Sequence, residues 1–292
     1  MLAMIWDTRS YFFWLLMISL LCWGLERLAP WRPQQRALRR GFGQDCFWLV
    51  FNGHYAGVLI ATITAWCLAH AAQVIGGWPW PATEQVQLFR THPLWLQFIV
   101  LLVIKDLLEW CIHVMLHRVP WLWEFHKLHH SIVELDWIGN FRFHWMEIVI
   151  YRGLTYLPLV LLGIDNQVIL WVAVVGTLIG HINHANLDFG WGPLFKLINS
   201  PRFHVWHHDV VVHGRGGQNF AIIFSIWDWL FATAYRAPTP QPAHLGFLGM
   251  ERFPQGLAGR LLYPFWRRSP KEKEDPGPDS PDQDVSRDDS AA

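Results

Sequence analysis

The chain of 292 residues lacks an excess of charge of either sign. Its 23 Lys and Arg balance 23 Asp and Glu, and charged residues make up only 16%. With no basic field, nucleic acid is not an expected partner. Cysteine is scarce: Cys22, Cys46, Cys67 and Cys111 form no Cys-x-x-Cys pair and fall in or beside apolar runs. That pattern excludes a zinc ribbon and a disulfide framework, and leaves them as small buried apolar residues. The sequence also lacks His-Glu-x-x-His, the helix-borne ligand and base set of zinc hydrolases. It carries no cytochrome-like or flavin-like segment, and no internal repeat beyond two similar His-x-x-His-His clusters.

What is abundant is apolar and aromatic. Hydrophobic residues reach 52%, with 20 Trp and 19 Phe, and the mean hydropathy is +0.18. This composition points to a membrane protein. The apolar run from Tyr11 to about Leu25 has no basic segment before it and no small-residue cleavage site before Glu26-Arg27, so it reads as a retained membrane helix rather than a signal peptide. The loop from Trp31 to Arg40 holds four arginines and no acid. The positive-inside rule makes it cytoplasmic. A second run, about Cys46 to Ala72, is long enough to cross a hydrocarbon core of about 30 Å. It leads to Gly76-Gly77-Trp78-Pro79-Trp80-Pro81, an interfacial segment that cannot be regular helix. A third run from Pro93 to about Ile104 continues as helix to the first histidines and delivers them to the cytoplasmic side. Ile148–Ile164 and Val168–Ile182 flank a short Asp165-Asn166 turn and form a helical hairpin that returns to the same side. The expected architecture is all-α: a multi-span helical membrane protein with a cytosol-facing helical cap over a dinuclear metal site. Its divisions are N-terminal membrane helices and loop at 1–92, a catalytic domain at 93–236, a C-terminal extension at 237–269 and a disordered, charged tail at 270–292.

Twelve of the sixteen histidines lie between His113 and His213. Ten form four clusters: His113 and His117; His126, His129 and His130; His181 and His184; His204, His207 and His208. Residues three and four apart lie above one another on a helix, so each cluster can aim its imidazoles at one point. One ion takes three or four protein ligands, so ten suit two ions better than one, and imidazole suits Zn, Cu, Fe or Ni. The two His-x-x-His-His clusters suggest one per metal, although exchange of ligands between helices fits as well. His144 and His213 stand outside the clusters with their roles open, whereas His54, His70, His92 and His244 read as single packing or surface residues. Metal-bound imidazoles commonly give their second N–H to a carboxylate. Glu109, one turn before His113, and Asp228 are the candidates for that service.

The order His113-Val-Met-Leu-His117-Arg118, His126-Lys-Leu-His129-His130-Ser131 and Asn199-Ser-Pro-Arg-Phe-His204-Val-Trp-His207-His208 resembles the membrane-bound fatty acid hydroxylase and sterol desaturase superfamily of di-iron proteins. His181 and His184 fall where that family has its less regular pair. Phe141-Arg142-Phe143-His144-Trp145-Met146-Glu147 is similar to its Arg-x-His-x-x-Glu segment. Asn219-Phe220 and Trp227–Thr233 resemble its closing motif, with Ala232 where glycine is usual. The likeness covers about residues 95–236. It implies two iron ions on the histidines, O2 activation, and hydroxylation or desaturation of a fatty acyl, sterol-like or ether-lipid substrate from the bilayer. A separate protein would bring the electrons. The rival readings are a histidine-rich membrane metal transporter, which would place its ligands midway through the bilayer, and a zinc membrane hydrolase.

Overall fold

The computed structural model describes residues 6–60, 62, 63, 66, 70 and 88–265. The Gly76–Pro81 segment, much of the second apolar run, Cys67 and the tail from Pro270 lie outside the described residues.

Helix α1, Tyr11–Leu28, starts where the Ser10 hydroxyl accepts the Phe12 N–H, the usual way a serine satisfies an otherwise orphaned donor of the first turn. Helix α2, Phe42–Val50, runs on into a π-helical turn at Phe51–Tyr55. Helix α3, Leu94–Arg118, ends at Val119, which is extended (φ −95°, ψ 113°). A residue before proline is pushed out of the α region, and Pro120 suits the first turn of the next helix, so α4, Pro120–His130, begins at once. This sharp corner sets the histidines ending α3 beside those of α4.

Helices α5, Trp145–Leu161, and α6, Asn166–His184, are joined by the expected short turn, and each packs against α3. Gly163 takes a left-handed φ of +68° in the turn, a conformation open to glycine at little cost, and the Asp165 carboxylate accepts the Gln167 N–H to start α6. The last histidines sit on α7, Pro201–His204, and the 3-10 turn Val205–His208 that continues it. Short helices α8, Ile226–Leu230, and α9, Leu257–Leu262, close the chain. Among the described residues there is no strand, only isolated bridges at Pro30–Leu187 and Asp209–Leu245, so the all-α expectation holds.

Among the described residues, two helices, α1 and α6, are long and apolar enough to cross a membrane. The longer α3 carries Lys105, Asp106 and Glu109 within it. Leu20, Leu21 and Leu28 on α1, and Trp95 and Ile99 on α3, lie exposed, as lipid-facing side chains would. The core sits between α1, α6 and a 3-10 turn at Trp137–Phe141, where Leu15, Cys22 and Ile138 are almost wholly buried; each such large aliphatic side chain contributes about 1.5–3 kcal/mol. Polar ties hold the loops over this core. The Glu26 carboxylate accepts the N–H groups of Trp137 and Asn186. Arg39 bridges Asp45 at 2.7 Å and Asp136 at 2.6 Å, and Arg142 also binds Asp45.

Candidate metal centre

Nine histidines converge as two adjacent groups. His113, His117, His126, His130 and His207 form one, and His129, His184, His204 and His208 form the other; within each, the ligand nitrogens lie within 4.8 Å of one another. His129 and His130, one from each group, have ring centroids 5.5 Å apart.

The sorting follows from helix geometry. At about 100° per residue, positions i and i+4 of a His-x-x-His-His cluster lie about 40° apart while i+3 and i+4 diverge by about 100°. His126 and His130 accordingly face one group together, and His129 faces the other. His204 and His208 likewise face the second group, and His207 crosses to the first. The expectation of one cluster per metal gives way to exchange, each cluster lending its middle histidine to the opposite group. The two groups are then related, except that α3 supplies two histidines four apart and α6 supplies only His184. Four residues before His184 stands Gly180, where a Cβ would meet the Asn140 side chain at 2.6 Å.

His181 belongs to neither group, and this corrects the expectation for it. Its Nε2–H donates to Ser19 Oγ at 3.2 Å and its Nδ1 accepts from Asn140 Nδ2 at 2.9 Å, so both ring nitrogens are occupied. A spacing of three turns it about 60° away from His184, towards α1. His144 also faces elsewhere: Nε2 donates to the Leu261 carbonyl and Nδ1 accepts the Met146 N–H. His213 pairs with Asp209 at 2.8 Å and stacks on Tyr235.

Hydrogen bonds orient four of the nine. His113 Nδ1 lies 2.7 Å from the Phe220 carbonyl, His207 Nδ1 2.9 Å from that of Gln218, and His184 Nδ1 2.8 Å from that of Gly180. His126 Nδ1 lies 2.8 Å from Glu147 Oε1. The three carbonyls can only accept, so the Nδ1 of His113, His207 and His184 carries the proton and each Nε2 presents a bare lone pair to its group; Glu147, whose carboxyl burial raises well above its usual range, orients His126. The His113 Nε2 lone pair faces His126 Nε2 across 3.1 Å. Two imidazole nitrogens held this close suit a shared cation. Ligands about 2.1 Å from a shared ion would be 3.1 Å apart at a ligand–metal–ligand angle of about 95°. In the second group His208 Nε2 and the Nδ1 atoms of His129, His204 and His208 are buried without partners, which also fits a site built for a metal. Burial holds His126, His129, His130, His204, His207 and His208 well below the usual imidazole pKa. They are therefore neutral at pH 7, the form that binds metals.

The expected carboxylates act differently. Glu109 does not orient His113; it receives Lys105 Nζ at 2.5 Å, a partner four residues back on its own helix. Asp228 touches no histidine. It accepts N–H bonds from Phe220, Ala221 and Trp110 and the Thr233 hydroxyl, and so fixes the peptide whose carbonyl holds His113. Asp106 similarly holds the N–H groups of Ile223 and Phe224. Sequence reasoning missed Glu147, although the Arg-x-His-x-x-Glu pattern was its signal. It also missed the backbone carbonyls, for which no side chain signals. His117 is partly exposed, and with His130, His207 and Trp123 it lines a cavity of about 260 Å³ that reaches the surface.

Residues 98–233 match the model of the fatty acid hydroxylase family. An ornithine lipid hydroxylase of Rhizobium tropici is 35% identical over 180 residues, 62% of this chain and 54% of that protein. Cholesterol 25-hydroxylase of Mus musculus is 27% identical over 227 residues, 74% of this chain and 72% of its own. Methylsterol monooxygenase 1 of Rattus norvegicus is 29% identical over 149 residues, 49% of each. The chain thus spans about half the length of the first of these relatives. No solved structure matches the chain. The matched segment contains all nine converging histidines and the loop that anchors them, so along its metal-site half the chain is similar to the fatty acid hydroxylase family.

Proposed function

We propose that the protein is a membrane-bound di-iron oxygenase that uses O2 and external electrons to hydroxylate or desaturate a lipid. The observation that carries this reading is the close approach of Nε2 atoms within both groups, His113 to His126 and His130 to His207 at 3.1 Å, and His184 to His129 and to His204 at 3.2 Å. Two iron ions would be held by His113, His117, His126, His130 and His207, and by His129, His184, His204 and His208. Iron in this setting supplies the one-electron and O2 chemistry that acid–base side chains cannot bring to an unactivated C–H bond. Hydroxylation is the reaction favoured by the names of the relatives, which act on an ornithine lipid, cholesterol and a methylsterol.

The chain's own residues do the rest. The carbonyls of Phe220, Gln218 and Gly180 and the Glu147 carboxylate hold the imidazoles in one tautomer and orientation, so little rearrangement is needed when metal binds. Eight of the nine histidines are buried, which keeps water from the site, while His117 borders the open cavity. The second group has one histidine fewer, which leaves it the more open coordination sphere. Apolar helices α1 and α6 support membrane residence, and the arginine-rich loop before Arg40 supports a cytoplasmic metal site within reach of a separate electron-donor protein.

The test is to incubate iron-loaded, detergent-solubilised protein with a membrane lipid extract, O2 and a chemical reductant, and to analyse the lipids by mass spectrometry. A species gaining one oxygen, or losing two hydrogens, only with O2 and reductant together is expected. Lipids unchanged across extracts by protein containing both irons would refute the reading.

A further inference from the structure

A second, larger cavity of about 820 Å³ lies beside the histidine-lined one, and Val210, Phe247 and Leu248 border both. Much of its wall comes from outside the family domain, from residues 39–44 and from 247–260, the parts of the chain free to specify a substrate. Four arginines line it. Arg39 and Arg142 are neutralised by Asp45 and Asp136. Arg260 is only 6% exposed, yet its partners are neutral: Nε donates to the Pro254 carbonyl and Nη1 to Gln44 Oε1. Arg40 is exposed and makes no ion pair among the described residues. The acid on this wall, Glu251, lies 3.7 Å from Arg252. Burial, and secondarily the neighbouring Arg142, lower the Arg260 pKa to about 10 against the attraction of Asp45, whose carboxylate is already bound by Arg39 and Arg142. A buried charge is costly unless an opposite charge and hydrogen bonds meet it.

We infer that this cavity receives the anionic group, phosphate or carboxylate, of a lipid headgroup, with Arg260 and Arg40 as its anchors. The inference rests on the lipid oxygenase reading for the identity of the ligand, and on the arginine geometry for the place. A guanidinium offers forked donors that match such oxygens. A lipid held there would pass its next atoms by Phe247 towards His117, His130 and His207, so oxidation would fall near the headgroup end of the molecule.

The test measures binding of dihexanoyl phosphatidate, uncharged dihexanoylglycerol and inorganic phosphate to the full chain in detergent. Phosphatidate should bind more tightly than dihexanoylglycerol. Arg260→Gln should weaken phosphatidate binding by about tenfold or more and leave dihexanoylglycerol unchanged. Arg260 also holds local structure, so Arg40→Gln, which removes an exposed charge and no hydrogen bond from that side chain, provides a second measure; a loss of several-fold with an unaltered melting temperature is expected. Phosphatidate binding that exceeds dihexanoylglycerol in neither affinity nor arginine dependence would overturn the inference. Displacement by inorganic phosphate at equal concentration would overturn the lipid source in favour of a free anion. His129→Ala should retain arginine-dependent phosphatidate binding. If that binding persists while the wild type binds no iron, the oxygenase reading fails and the headgroup site stands.

Discussion

Replacing Glu147 should weaken one metal position and spare the other. Its Oε1 receives the His126 Nδ1–H at 2.8 Å, and both side chains are fully buried. Its Oε2 has no hydrogen-bond partner, which leaves the His126 bond as its side-chain tie to the site. Removing the outer partner of a ligating histidine costs about 10–100-fold in metal affinity. Glu147→Ala should lower metal affinity at the five-histidine group by that factor. Glu147→Gln, which keeps an acceptor oxygen, should fall at the lower end. The assay is a chelator competition titration of the divalent metal, resolved into two binding steps. One step should shift and the other stay in place. Equal shifts in both steps would mean a general loss of structure, and no shift in either would mean that Glu147 does not support a ligand; either result refutes the reasoning.

Asp228→Asn replaces one acceptor oxygen with a donor facing a backbone N–H of Phe220 or Ala221. It should cost about 1–3 kcal/mol, read as a lower melting temperature together with weaker binding at the group containing His113. His181→Gln should leave both metals in place, because His181 hydrogen-bonds Ser19 and Asn140; loss of a metal in this variant would return His181 to the ligand set. In the metal-free protein, stability should decline as the pH falls. Burial lowers His144 to about 4 from its ordinary 6.5, and the buried ligand histidines of α4 and of the turn after α7 shift in the same direction. The unfolded chain takes up protons first, so stability present above about pH 6.5 is lost progressively towards about 4. A melting temperature that stays flat across that window would contradict this.

How far the sequence disclosed the site depends on which contacts are encoded in side-chain spacing. The i, i+4 pairs at His113/His117, His126/His130 and His204/His208 each converge, because that spacing leaves two residues on one face whatever the helix packs against. His181 does not converge with His184, since a spacing of three permits a common target without requiring one, and Ser19 and Asn140, distant in sequence, decide the matter. The angular spread of each triple cluster sets its middle histidine apart from the outer two, but which group each faces depends on how α4 and the turn after α7 face each other. Glu109 was misassigned for a similar reason: Lys105, four residues away on its own helix, was the nearer claim. Asp228 proved to act through the loop it holds rather than on an imidazole. That loop needs left-handed backbone at Asn219 and Ala232, both with φ of +54°. Asparagine tolerates this better than most residues and alanine less well, which accounts for the usual glycine at the second position. The helices on either side of Asp165 were readable from two apolar stretches, whereas the ion network of Arg39, Asp45, Asp136 and Arg142, assembled from distant segments, had no local signature.

The central claim is that nine histidines hold two metal ions. It is tested most directly by elemental analysis of the purified protein, with His129→Ala and His130→Ala beside the wild type, one substitution for each group. The account predicts about two irons per chain after iron reconstitution, and a loss in each variant confined to its own group. One metal or none, unaltered by either substitution, would contradict it.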